Sequence, residues 1–161
     1  MKITVIYVGA TTDKAFAASA AEYEKRIGAF AKFQSVCVKE EKLDDSVNVS
    51  AALLERVLTA EEAAIRAAVP KGAYTAALCV EGQTLSSEEL ASVLSDRALE
   101  GVSSFCFIIG GSHGLSRALK DGCDTRISMS PMTFPHMLAR VMLCEQLYRA
   151  FCIINGKKYH K

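Results

Sequence analysis

Short apolar runs of strand length alternate with longer segments of helical periodicity along the chain, and this alternation constrains the fold more than any other feature. Lys2 to Val8 is a β-rich run, and Phe33 to Val38, Thr75 to Val80, Ser104 to Ile109 and Thr125 to Met129 follow the same pattern. Between them, Phe16, Ala20, Tyr23 and Ile27 share a helical face that opens at Thr12 or Asp13 and runs out near Gly28. A second helix is predicted from about Ser50 to Ala68, stopped before Pro70. Gly82 reads as the turn after the third strand, and Ser86 with Glu89 three residues later is a capping-box signature for a helix to about Glu100. Ser116 to Gly122 is short and weakly helical, while Pro135 suits the first turn of a long helix ending by Asn155 and Gly156. Strands that are apolar nearly throughout, in β-α order, predict an α/β fold: a parallel sheet covered on both faces, in three layers. Ligands of such sheets sit beyond the carboxyl ends of the strands, which here means Leu78 to Gly82, Gly110 to Gly114 and Met129 to Phe134.

With 161 residues and no linker, repeat or low-complexity tract, the chain is expected to form one domain, residues 1–161. Half of the residues are apolar, which excludes a disordered chain. The net charge of +1 gives no global field to concentrate nucleic acid, so any polyanion must meet a local patch. Residues 40 to 62 hold seven acids (Glu40, Glu41, Asp44, Asp45, Glu55, Glu61, Glu62) against two bases, whereas His113 to Lys161 holds eight bases against three acids. Such runs are usually solvated faces, and the basic end is the C-terminal one.

The six cysteines show no CxxC spacing and several lie in apolar runs, so they read as buried free thiols of a reducing cytosol, not as a disulfide framework. Ile3 to Val8 is only a strand's length of apolar residues, and no signal peptide, membrane span or metal site is expected. A cytoplasmic protein follows.

The loop Gly110-Gly111-Ser112-His113-Gly114 admits two chemical readings. Its glycines suit a tight turn with positive φ. It also matches G-x-S-x-G, the nucleophile elbow, and Asp121 or Asp124 with His136 or His160 would complete a Ser-Asp-His order for a small serine hydrolase. An elbow requires a substantial helix behind the serine, and Leu115 to Gly122 is short. The dinucleotide fingerprint G-x-G-x-x-G is absent.

On a helical projection of the last helix, Glu145, Gln146 and Arg149 share one side, and Arg140 falls on an otherwise apolar face with Met137, Leu143 and Cys144. Arg140 is thus a snorkelling or ion-paired side chain, or else part of a dimer surface or anion site. Glu145 and Arg149 are spaced as an ordinary surface pair.

The segments FCFIIGGSHGLS (105 to 116), ISMSPMTFPHMLARVMLCEQLYRAF (127 to 151) and the terminal KKYHK, with the opening MKITVIYVG and AEYEKRIG in the first helix, resemble the ribosomal RNA large subunit methyltransferase H family of the SPOUT, or knotted, methyltransferases. The likeness runs through the whole chain. It implies a homodimer whose C-terminal segments form a trefoil knot, an exception to the rule against threaded chains. It implies binding of S-adenosylmethionine in that knot by Leu78, Gly110, Met129, Ser130, Pro131, Met132, Thr133 and Phe134, with Cys79 standing where relatives carry an acidic residue. The methyl group is expected to go to N3 of a pseudouridine in the helix 69 stem-loop of 23S rRNA on the assembled ribosome. The alternatives are the Ser112 hydrolase and a ribosome-binding factor without catalysis.

Methyl transfer from a sulfonium needs in-line approach of the acceptor, so much of the catalysis comes from holding two reactants in register. The N3 proton must leave, which calls for a base or a positive environment that favours the anion. His160, Arg149 and His136 are the candidates, and the resemblance adds Tyr159 and Lys161, with the tail Tyr159-His160-Lys161 completing the site of the partner subunit.

Overall fold

A computed structural model describes residues 1–43 and 49–161, so Asp44 and Asp45 of the acidic run lie outside the described residues. The elements are β1 (Lys2–Val8), α1 (Lys14–Ile27), β2 (Lys32–Val38), α2 (Ala51–Ala68), β3 (Tyr74–Thr84), α3 (Ser87–Leu99), β4 (Ser104–Ile109), α4 (Arg117–Asp121), β5 (Thr125–Ser128) and α5 (His136–Ile154). All pairings in the five-stranded sheet are parallel, in the order β2-β1-β4-β3-β5. β1 and β4 are interior strands, and Ile3, Val5, Ile6, Phe105, Phe107 and Ile108 are each nearly or wholly buried, as a strand covered on both faces requires.

Local chemistry sets the helix boundaries. The Asp13 carboxylate accepts the backbone N–H groups of Ala15 and Phe16, the Ser50 hydroxyl accepts that of Leu53, and Ser86 with Glu89 forms the reciprocal capping box. α1, α3 and α5 cover one face of the sheet through Leu94, Leu143, Leu147 and Phe151, while α2 and α4 cover the other through Ile65 and Leu119. Phe30 and Phe151 stack with ring centroids 5.8 Å apart, fastening the end of α1 to α5.

Two expectations are corrected, and of the alternatives open for Arg140 the ion pair is the one found. Gly82 is not a turn: β3 continues to Thr84 across a register shift between Leu78 and Gln83, and a Cβ on Gly82 would lie 2.6 Å from the Ile127 backbone. The thiols are not uniformly buried, because Cys37 faces outward on the edge strand β2 while Cys79 and Cys123 are half-buried. Arg140 proves to be an intramolecular ion pair: it is 8% exposed, donates from Nη2 to Glu24 at 2.6 Å and from Nη1 to Thr11 at 3.2 Å, and lies 4.0 Å from the Tyr7 ring centroid.

Candidate active site

The carboxyl ends of β3, β4 and β5 open into a cleft of about 760 Å³. Its walls begin with Leu78, at the register shift in β3, and with Gly110 just beyond β4. A Cβ on Gly110 would sit 2.4 Å from the Gly114 carbonyl, so only glycine lets the loop fold back on itself. Positive φ, expected of the whole glycine loop, is confined within it to Gly114 at +77°; Gly110 is glycine for lack of space, whereas a Cβ on Gly111 would press chiefly on the Glu40 side chain. The Gly114 N–H donates to the Gly111 carbonyl at 3.0 Å and closes the turn.

The third wall follows β5. The Ser128 hydroxyl donates to the Ser130 carbonyl at 3.0 Å and the Ser130 hydroxyl accepts the Met132 N–H at 3.0 Å, which curls the segment before Pro135 starts α5. Met129, Ser130, Met132, Thr133 and Phe134 all line the cleft; Pro131 is exposed and does not. His136 reaches the cleft from the first turn of α5. Cys79, Glu81, His113 and Lys120 also line it. Lys120 is ion-paired with Glu81 there, a contact across 39 residues that no local pattern announces.

Glu40, beyond the end of β2, braces the glycine loop from outside. Its Oε1 accepts both the N–H and the hydroxyl of Ser112, at 2.9 and 2.7 Å, and these donors hold its carboxyl below the usual range. The Ser112 hydroxyl is therefore committed to a carboxylate. Asp124 accepts from Thr75 at 2.7 Å, Asp121 from Arg126 at 3.1 Å, and His160 Nε2 lies 2.7 Å from Glu88, so these residues assemble no Ser-Asp-His array around Ser112.

The other expected catalytic residues gather elsewhere. Arg149 donates from Nε and Nη2 to Glu145 Oε1 at 3.1 and 2.5 Å, and the Tyr159 hydroxyl donates to the same oxygen at 3.0 Å. The guanidinium lies 4.7 Å from the Tyr159 ring centroid, and its Nη1 is 3.5 Å from His160 Nδ1. Burial, followed by the Tyr23 and Glu145 contacts, pushes the Tyr159 phenol well above its ordinary value. Glu145 and Arg149 thus form a half-buried anchor for the tail in place of the expected surface pair, and Lys161 is exposed beyond it. None of Arg149, Tyr159, His160 and Lys161 lines the cleft.

A family model described as "Predicted SPOUT methyltransferase" matches residues 1–160. The chain belongs to the SPOUT methyltransferase family. Two relatives called "Ribosomal RNA large subunit methyltransferase H" match this SPOUT chain over its full length and their own, one from Clostridioides difficile at 40% identity and one from Limosilactobacillus fermentum at 43%. Solved structures with the same fold include a probable methylase family protein from Haemophilus influenzae (TM-score 0.58, 16% identity, 99% of this chain and 70% of that one) and a probable methyltransferase from Bordetella pertussis (0.58, 19%, 92% and 95%). The SPOUT family implies the knot. Among the described residues no three His, Cys, Asp or Glu side chains are grouped to hold a metal, and no helix is long and apolar enough to cross a membrane.

Proposed function

We propose that this protein methylates N3 of a pseudouridine in the helix 69 stem-loop of 23S rRNA, on assembled ribosomes in the cytoplasm, using S-adenosylmethionine. The observation that carries the reading is full-length identity of 40% and 43% to two relatives named as large-subunit rRNA methyltransferases. The cleft suits the cofactor: it is of ligand size, largely apolar, and bordered at Gly110 by a loop whose fold admits no side chain there. Leu78, Gly110 and the 129–134 loop would hold the cofactor, which supplies an electrophilic methyl group.

The protein's share is orientation and charge. Leu78 and Phe134 give apolar walls to one reactant, and the serine-braced curl at Ser130 fixes the loop beside it. At the acceptor, His160 or His136 takes the N3 proton, or Arg149 favours the anion by its charge. The spacing of the two clusters supports a homodimer, since a tail that does not line its own cleft is free to complete that of a second copy. The outward row Leu138, Val141 and Met142 on α5 is half-buried in one subunit and suits a subunit contact. Within that dimer each chain acts as one domain, residues 1–161.

The test is transfer of labelled methyl from S-adenosylmethionine to ribosomes lacking the modification, with the product nucleoside identified by mass spectrometry. Label on 3-methylpseudouridine of helix 69 is expected. Label elsewhere would overturn the proposed target, and no label with no cofactor binding by calorimetry would sink the proposal and favour a non-catalytic ribosome-binding factor.

A further inference from the structure

At the far end of the α1–α5 pair lies a second groove, of about 370 Å³, whose described lining holds aromatic and basic side chains and no acid. Arg26, Lys157 and Lys158 supply the charge; Phe30, Tyr148 and Tyr159 supply the rings. Lys157 and Lys158 are exposed and, among the described residues, neither enters an ion pair, whereas Arg66, Arg97, Arg117, Arg126, Arg140 and Arg149 all do. Arg26 is held ready: its Nε donates to Glu22 at 2.8 Å and its guanidinium lies 5.5 and 5.7 Å from the Tyr23 and Tyr148 ring centroids. Its two Nη groups make no hydrogen bond among the described residues, which leaves a fixed fork of donors at 43% exposure.

We infer that this groove is where the protein grips the sugar-phosphate backbone of its RNA, beside the nucleotide that the tail acts on. The inference rests on the proposed RNA substrate and gives it a location. Uncompensated cations attract phosphates through counterion release, and half-exposed tyrosine and phenylalanine rings accept an unstacked base without sequence preference. Tyr159 belongs both to the groove lining and to the Glu145–Arg149 cluster, so RNA held here lies within one side chain of His160. A chain of net charge +1 thereby presents a local polyanion-binding surface that its composition does not announce.

The test compares the full-length wild type with the double variant Lys157→Gln, Lys158→Gln, using unmodified ribosomes and, separately, a naked transcript of the stem-loop. The variant should bind both about tenfold more weakly at about 0.1 M salt, and its plot of log affinity against log salt should flatten by about two, one for each phosphate that a lysine no longer neutralises. Cofactor affinity by calorimetry should stay within about twofold, because neither lysine lines the cleft. Unchanged affinity and salt slope overturn the inference. So does a lower Tm with an unchanged salt slope, which would mean that the lysines merely compensate the carboxyl ends of α1 and α5. Weakened binding to ribosomes alone would assign the groove to a ribosomal protein and also overturn it. If the wild type binds both RNAs with the expected salt dependence but transfers no methyl group, the proposed function fails and the groove stands. If it binds neither, both fall.

Discussion

Glu40 and Ser112 are 72 residues apart, yet one carboxylate oxygen of Glu40 accepts both the amide and the hydroxyl proton of Ser112. The contact ties the edge of the sheet to the glycine loop at the mouth of the cleft. Because the amide bond survives truncation of the side chain, Ser112→Ala should retain methyl transfer within about a few fold, while loss of the charge-assisted hydroxyl–carboxylate bond shows as about 1.5–3 kcal/mol of stability. Covalent labelling of Ser112 by a fluorophosphonate would contradict this and revive the hydrolase.

The same contact sets a pH dependence. Ser112 lowers the folded pKa of Glu40 below its ordinary 4.5, so the ionised form is favoured by folding. The stabilisation is present above 4.5 and is lost as pH falls through the lowered folded value. Thermal melts between neutral pH and the acid side of that window should therefore fall less steeply for Glu40→Gln than for the wild type. Parallel curves would show that the contact contributes nothing to the fold.

Arg140 and Glu24 should behave as a buried pair. Removing one partner leaves an uncompensated charge, so Arg140→Ala should destabilise by about 3–5 kcal/mol in urea unfolding. Replacing both, as in Arg140→Met with Glu24→Leu, should recover most of that loss. A loss confined to dimer affinity, with monomer stability intact, would instead place Arg140 at the subunit contact.

Deleting Tyr159, His160 and Lys161 should leave cofactor affinity within several fold and remove most ribosome methylation, worth about a few kcal/mol of acceptor positioning and charge stabilisation. Mixing a tail-deleted chain with a Gly110→Trp chain decides between tails. Both defects fall in one site if tails act across the dimer, and activity returns from the other; no recovery means that each tail serves its own subunit.

Dimerisation itself is checked by sedimentation. The protein should run as a dimer at micromolar concentration, and Val141→Glu on the outward face of α5 should shift it to monomer with loss of methylation. A wild type that sediments only as monomer removes the basis for a shared site.

Local signals carried much of the architecture. Asp13, Ser50 and Ser86 announce their helices because each cap is a bond to a backbone amide two or three residues away. The three strand ends around the cleft follow from the β-α order and the rule that ligands lie beyond the carboxyl ends. What escapes is non-local. Gly82 is a turn residue by sequence and a close-contact residue only because β5 returns beside it. Glu40 lies in an acidic run, and nothing near it in sequence indicates Ser112. Arg140 shows its anomaly on a helical wheel, but its partners lie on β1, the following loop and α1. The tail motif is legible, whereas its docking on Glu145 and Glu88 depends on where α5 and α3 meet.

The strand order has a consequence for the nascent chain. β1 and β3 both precede β4 in sequence, yet β4 lies between them, so both keep an unpaired edge until Ile109 has been made. At about 5–20 residues per second, the interval from Val8 to Ile109 lasts roughly 5–20 s, during which the edge of β1 stands open to other chains, joined by that of β3 once Thr84 has been made. The hazard peaks after β3 emerges, when β1 and β3 are both available and the strand that separates them is not. Slowed translation between Thr84 and Ser104 should therefore promote aggregation more than an equal pause after α5 has begun.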